Sequence, residues 1–296
     1  MQRTIGVNTW VWTSPLTTAE FARLAPRVSQ MGFDLIELPI EGTGDIDYRS
    51  AAELARSHGL AVSVCAAMGP DRDLVHPDSA IRENGMRYLQ HCIEAVGLLG
   101  GRNLVGPLYS AVGRTWQATD DQRRADLDVL VAQLRRLAAL AGDHGVTLGV
   151  EPLNRFETSF INLATQVVEV VDRVDHDACG IMLDTFHMNI EERSLGDAIR
   201  LAGPRLCHLH VCENDRGTPG SGHVPWDEVA HACRDIGFEG PFVIESFTNQ
   251  VKTIARAAAI WRPLASSQDA LAEGGLKYLR ALLSSAHATQ HAQTSV

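Results

Sequence analysis

Residues 146–151 read VTLGVE, 180–184 read GIMLD, 206–210 read LCHLH and 241–245 read PFVIE. Each is a short apolar run that ends on Glu, Asp, His or Glu. Strands covered on both faces are near-continuous apolar runs, so a polar end is unusual even once. Four such ends, each about one strand–helix repeat from the next, point to a common destination. In a closed parallel barrel the C-terminal strand ends meet at one face. Glu151, Asp184, His210 and Glu245 would then be neighbours around half the rim.

Working outward, four more strand patterns precede these: 5–11 (IGVNTWV), 34–38 (DLIEL), 60–66 (LAVSVCA) and 103–106 (NLVG). Between the strands lie stretches with helical spacing of apolar residues: 17–30, 78–99, 120–144, 163–174, 195–201 and 226–236. The longest carries the stripe Leu127, Leu130, Leu134, Leu137, Leu140 and stops near Gly145, a helix-stop residue. Residues 252–283 read as mostly helical, interrupted by Pro263. Eight strand–helix repeats predict a (β/α)8 TIM barrel, α/β in class, as one domain over 1–285. The remainder, 286–296, is polar and aperiodic and reads as a C-terminal tail. An open doubly wound sheet would usually need a Gly-rich first turn. The first turn here, VNTWVWTSP, is aromatic.

The bulk composition narrows the function classes. The 45% hydrophobic content over 296 residues supports one large core. A formal net charge of −10 disfavours nucleic acid and anionic membrane as partners but not a small neutral substrate. No run approaches the roughly 18 apolar residues of a membrane span. Cysteines at 65, 92, 179, 207, 212 and 233 form no C-x-x-C pair, and the chain opens without a signal-peptide pattern. A reduced, cytoplasmic protein is expected.

Three carboxylates and one imidazole suit a hard divalent cation, Mn²⁺, Co²⁺ or Mg²⁺, better than a thiolate-seeking metal. Without a cation the three acids would repel one another. One strand-end acid ordinarily faces solvent or pairs with a neighbour. Four on consecutive strands make a metal site the better reading.

The segments VEPLNRFET, LDTFHMNIEE, HLHVCENDRGTPGSG and VIESF resemble the ketose 3-epimerase family, which acts on sugars such as tagatose, psicose (allulose) and ribulose. LDTFHMNIEE is the most specific of these. The resemblance spans roughly 1–283, with its specific motifs in 151–247. It implies that Glu151, Asp184, His210 and Glu245 ligate a divalent metal, most often Mn²⁺, and that Glu151 and Glu245 are also the catalytic bases. The chemistry fits the pair: inverting C3 of a ketose needs a base on each face and a stabilised enediolate. The resemblance also implies that Glu157, His187 and Arg216 contact substrate oxygens, that Phe247 walls the pocket, and that the assembly is a homodimer or homotetramer. The bland readings are surface charge for Glu157 and Arg216 and a packed structural histidine for His187.

Other positions follow from strand-end logic. Glu37 ends LIELP and would face the site as a hydrogen-bonding support. His208 shares a strand face with His210 and reads as interior filler. Trp10, Trp12, Met68, Tyr109 and Trp116 are wall candidates, each with core packing as the alternative. The chain departs from the family at VNTWVW, AAMGPDRD and VGPLYSAVGRTW. Asn8, Met68 and Trp116 are therefore expected to shape the wall around the far end of the sugar.

A free ketose is the expected substrate. An aldose–ketose or sugar-acid isomerase on the same metal site is the nearest rival. The nuclease branch of the superfamily is disfavoured by charge, and a non-catalytic sugar-binding barrel by the presence of both bases.

Overall fold

The computed structural model describes residues 3–293. Eight parallel strands close a barrel in chain order: β1 (Ile5–Asn8), β2 (Leu35–Pro39), β3 (Ala61–Cys65), β4 (Asn103–Gly106), β5 (Thr147–Val150), β6 (Cys179–Asp184), β7 (Leu206–Val211) and β8 (Phe242–Ile244). β1 pairs with β2 on one side and β8 on the other, which closes the ring. The outer layer holds α1 (Thr18–Met31), α2 (Tyr48–Ser57), α3 (Ser79–Leu99), α4 (Asp120–Asp143), α5 (Ala164–Val174), α6 (Thr185–Glu191), α7 (Leu195–Ala202), α8 (Trp226–Asp235), α9 (Lys252–Ala257) and α10 (Gln268–Gln293).

Local chemistry explains the boundaries. Thr17 caps α1 by accepting from the Glu20 amide, and Gly32 ends it in a left-handed conformation. Thr119 and Gln122 form a capping box at the start of α4. β1 stops at Asn8, three residues before the sequence pattern does. The Asn8 side chain accepts from the Trp10 amide at 2.9 Å and winds Thr9–Val11 into a 3₁₀ turn. Two helices escape the sequence reading. The short α2 is capped by Asp47. In α6 the cap is Asp184, the last residue of β6, so no polar loop announces the helix. Residues 252–283 divide into α9 and α10, and α10 runs on past residue 285, where the tail was expected to begin. Residues 294–296 lie outside those described.

The main core fills the layer between sheet and helices, with Ile36, Leu104, Leu134, Val167, Ile199 and Leu279 fully buried. Each such side chain contributes about 1.5–3 kcal/mol through burial. A second apolar cluster contains Trp10, Cys65, Val105, Met182 and Phe247, and part of it reaches the barrel mouth. Among the described residues no helix is long and apolar enough to cross a membrane.

Gly106 ties this framework to the mouth. Its φ of +126° is glycine territory, and a Cβ there would sit 2.3 Å from the Ala66 carbonyl oxygen. Its own carbonyl accepts from the Glu151 amide at 3.0 Å. Gly106→Ala should cost roughly 2–4 kcal/mol, combining backbone strain and overpacking. Gly113→Ala, also at positive φ but in open space, should cost only about 1 kcal/mol. Urea unfolding of the two variants checks the contrast, and equal losses would contradict it.

Candidate active site

Glu151, Asp184, His210 and Glu245 follow or end β5, β6, β7 and β8, and all four are buried at the C-terminal mouth of the barrel. One ligand atom each from Glu151, Asp184 and His210 lies within 4.8 Å of the others. His210 Nδ1 is 3.2 Å from Glu245 Oε1, which brings in the fourth residue. Asp184 holds its position through its second role as cap of α6, accepting from the Phe186 amide at 2.7 Å.

Glu37 sits beneath this group and is fully buried. Its Oε1 accepts from Asn8 Nδ2 at 3.0 Å and faces His210 Nε2 at 2.6 Å. Its Oε2 accepts from Ser63 Oγ at 2.8 Å and lies 3.0 Å from His208 Nε2. Each oxygen thus has two close polar neighbours, three of them hydrogen-bonded and the fourth, His208, in ion-pair contact. Burial alone would raise the Glu37 pKa, but His210 and His208 outweigh it and hold the carboxyl well below its usual range. The contact with Glu37 directs His210 Nε2–H downward, leaving Nδ1 toward the mouth. Nδ1 makes no well-directed hydrogen bond and opposes the Glu245 carboxylate. A lone pair against a carboxylate oxygen is stable only with a proton or a cation between them. The donor set therefore fits a divalent metal ion.

Charge in the cluster is distributed unevenly. Burial, Glu245 and Asp184 push the Glu151 carboxyl well above the usual carboxylate range. Burial also raises Asp184, against the opposing pull of Arg216. Glu245 goes the other way: burial would raise it, but His210 and Arg216 outweigh burial and lower it. For His210, burial would lower the pKa, yet Glu245 and Glu37 hold it well above the ordinary histidine value.

Arg216 and His187 complete the upper side. Arg216 Nη1 donates to Asp184 Oδ2 and, at 2.7 Å, to Glu245 Oε2. Its guanidinium stacks 4.1 Å from Phe186 and 5.2 Å from Phe247. The backbone of Arg216 is left-handed, with φ of 67°. Ser246 holds this turn by donating to the Arg216 carbonyl at 2.7 Å. His187 Nδ1 faces the Asn154 backbone amide at 3.0 Å, and Nε2 faces the Arg216 Nη2 donor at 3.1 Å, so both ring nitrogens meet N–H groups. Nε2 lies 3.7 Å from Glu151 Oε1. Burial, Arg216 and His210 depress the His187 pKa and keep the ring neutral. Glu157 accepts from Asn154 Nδ2 at 2.9 Å, and burial raises its carboxyl.

A cavity of about 510 Å³ opens over this group and is lined by Glu151, Glu157, His187, Arg216, Glu245, Phe247 and Met68, among others. Trp10 also lines it, while Tyr109 and Trp12 do not. Asn8 and Trp116 depart from expectation. Asn8 is spent on Glu37 and the 3₁₀ turn, below the cavity floor. Trp116 packs against Phe160 at 5.4 Å beneath the Arg114 guanidinium, outside the lining. Tyr109 is core, donating to the Ile161 carbonyl, and Trp12 bonds Asp269 on α10. His208 fills the barrel interior as expected and also touches Glu37.

Sequence reasoning missed several contributors. Cys65 ends β3, and its Sγ lies within 4.8 Å of ligand atoms of His210 and Glu245. The strand-end pattern that found the acids would have found it too. Glu213 accepts from the Gly220 amide, the Val224 amide and Trp226 Nε1, and so organises the loop that carries Arg216. Asn154 and the cavity residues Glu41 and Arg72 carried no sequence signal.

Comparison with known proteins agrees with this geometry. Residues 25–282 match the model of the xylose isomerase-like TIM barrel family. D-psicose 3-epimerase of Ruminiclostridium cellulolyticum is 35% identical over 254 residues, 85% of this chain and 86% of the relative. L-ribulose 3-epimerase of Mesorhizobium japonicum is 32% identical, covering 91% of this chain and 90% of the relative. Among solved structures, an L-ribulose 3-epimerase superposes with a TM-score of 0.92 at 30% identity, over 99% of this chain and 98% of that one. The chain thus belongs to the ketose 3-epimerases of the xylose isomerase-like TIM barrel family.

Proposed function

We propose that this chain epimerises free ketoses at C3 through a cis-enediolate, with Glu151 and Glu245 as the two bases. The observation that carries the reading is a pair of buried carboxylates, one after β5 and one after β8, facing one cavity. Glu151, Asp184, His210 and Glu245 would hold the divalent cation, with Mn²⁺ the best match to their oxygen-rich set and Co²⁺ or Mg²⁺ as alternatives. Bound there, the cation supplies Lewis-acid stabilisation of charge developing on the substrate oxygens.

The chain's own groups divide the remaining work. One of the two glutamates, ionised, would take the proton off one face of C3, and the other, protonated, would deliver one to the opposite face. The Arg216 guanidinium, which touches His187 Nε2 at 3.1 Å, is the donor for an oxygen that gains negative charge. Glu157, anchored by Asn154, is placed to accept from substrate hydroxyls.

A free sugar is favoured over a phosphorylated one. The Gly-rich loop after β7 directs its Gly220 and Val224 amides onto Glu213, which consumes the donors an anion would need. The relatives named for psicose and ribulose support the same class. The six cysteines remain unbonded thiols, which fits a reducing compartment such as the cytoplasm.

Incubation with ketoses in D₂O should place deuterium at C3 and yield the C3 epimer. Deuterium at C1 with aldose formation would replace this reading with that of an aldose–ketose isomerase. Glu151→Gln and Glu245→Gln should each lower net epimerisation by about 10²–10⁴-fold. Each should retain C3 exchange for only one epimer of a substrate pair, because one base survives.

Metal binding should release protons. Burial and the neighbouring acids raise Glu151, and Glu245 and Glu37 raise His210, so both carry a proton that a bound cation displaces. Affinity should therefore fall as pH drops through these raised values and level off above them. Calorimetry in two buffers of different ionisation enthalpy measures the release, and zero net release would contradict the assignment.

Glu37→Gln puts an amide NH₂ where a carboxylate oxygen meets donors, and frees the His210 ring to turn. Metal affinity should fall about 10–100-fold while the fold persists. Titration of metal-stripped protein with Mn²⁺ tests this, and unchanged affinity would show that Glu37 does not orient His210.

A further inference from the structure

The cavity has a second polar end, built from residues that the reaction does not use. Glu41 follows β2 and Arg72 lies in the segment after β3. Both line the same cavity as Glu151 and Glu245. The strands carrying the acids and His210 are β5 to β8, so Glu41 and Arg72 belong to the opposite half of the rim.

A chain of contacts relates the two ends. Phe247 lies two residues beyond Glu245, and its ring packs 5.4 Å from that of Trp10. The Trp10 indole N–H in turn donates to Glu41 Oε1 at 2.9 Å. Glu41 is therefore reached from the reaction centre across the indole of Trp10. Ser14 Oγ adds a second neutral donor to the same carboxylate at 2.8 Å. Arg72 is equally fixed. Its Nη2 donates to the Glu41 carbonyl at 2.9 Å, and its guanidinium stacks 3.9 Å from the Tyr88 ring. That hydrogen bond engages one of five N–H donors.

We propose that Glu41 and Arg72 form a subsite for the hydroxyls of the substrate farthest from C3, and so make the enzyme selective for six-carbon over five-carbon ketoses. The assignment rests on the ketose epimerase reading above and names the substrate class within it. An alcohol both donates and accepts, which matches a carboxylate beside a guanidinium. A phosphate or carboxylate at that end would meet Arg72 but also face Glu41, a like charge whose repulsion a neutral hydroxyl avoids. Apolar tails would leave both groups desolvated and unpaired. Trp10, Met68 and Phe247 provide the apolar faces between the two polar ends, as sugar C–H faces require.

The test is steady-state kinetics on a 2-ketohexose and on the 2-ketopentose of the same C3 and C4 configuration. Arg72→Met keeps the length of the stem and removes the donors. The ratio of hexose to pentose kcat/KM should fall roughly 10–100-fold, the scale of a lost hydrogen bond to a charged group. The loss should appear in the hexose KM rather than kcat. Glu41→Gln, which retains an acceptor for Trp10, should shift the same ratio in the same direction by a smaller factor. Melting temperature and metal content establish that each variant is folded, and either variant alone decides the matter. An unchanged ratio, whether both sugars fall together or neither falls, overturns the subsite. A wild-type preference above tenfold for the hexose 6-phosphate overturns the neutral-tail assignment. Wild-type protein that turns over no ketose at all overturns the epimerase reading instead, and the subsite with it.

Discussion

Burying an ionised carboxylate costs several kcal/mol unless its lone pairs find partners. Glu37, on β2, meets that condition with Asn8, Ser63, His208 and His210, drawn from β1, β3 and β7. The network does more than satisfy one acid. It links strands from both halves of the barrel through their interior. It also sets which nitrogen of His210 faces the mouth. In the cluster above, His210 takes its orientation from an anion that lies outside the cavity lining.

Above that anchor the site is a cluster of acids held at close quarters. Three carboxylates meet one guanidinium and one imidazole at the floor of the cavity. The Arg216 guanidinium bridges Asp184 and Glu245, so part of the repulsion is relieved within the chain itself. The left-handed turn at Arg216 makes this reach available. Glu213, beneath the turn, secures the loop by collecting its amides. Ordering the loop and aiming the cation are one structural event.

The barrel and the cluster of strand-end acids with His210 were legible because they follow local rules. Strand runs ending on Glu151, Asp184, His210 and Glu245 are visible as interruptions of apolar continuity, and the spacing between them is that of a βα unit. Helices with stop signals, such as α1 and α4, were equally readable. Where a strand end doubles as a helix cap, as at Asp184, local pattern offers no boundary and α6 disappears from view. The wall was less legible for a different reason. Asn8 ends β1 and Trp116 lies in the long loop between β4 and α4, places where a polar or aromatic side chain is expected to face a ligand. Tertiary partners decide otherwise: Glu37 claims Asn8, and Phe160 with Arg114 claims Trp116. Glu41 and Arg72 look like ordinary loop charges until the fold brings them together.

Trp10 has a broader consequence. Its indole is a seam between two regions of the mouth that are otherwise encoded separately. The two glutamates proposed as bases come from the C-terminal half of the chain, and Glu41 and Arg72 at the other end of the cavity come from the N-terminal half. Such modularity lets one half diverge while the other is conserved in role. Exchanging N-terminal segments between barrels of this kind would transplant a recognition surface onto an intact reaction centre. The splice would have to include residue 10 together with 41 and 72, since the indole is the piece that registers one half against the other.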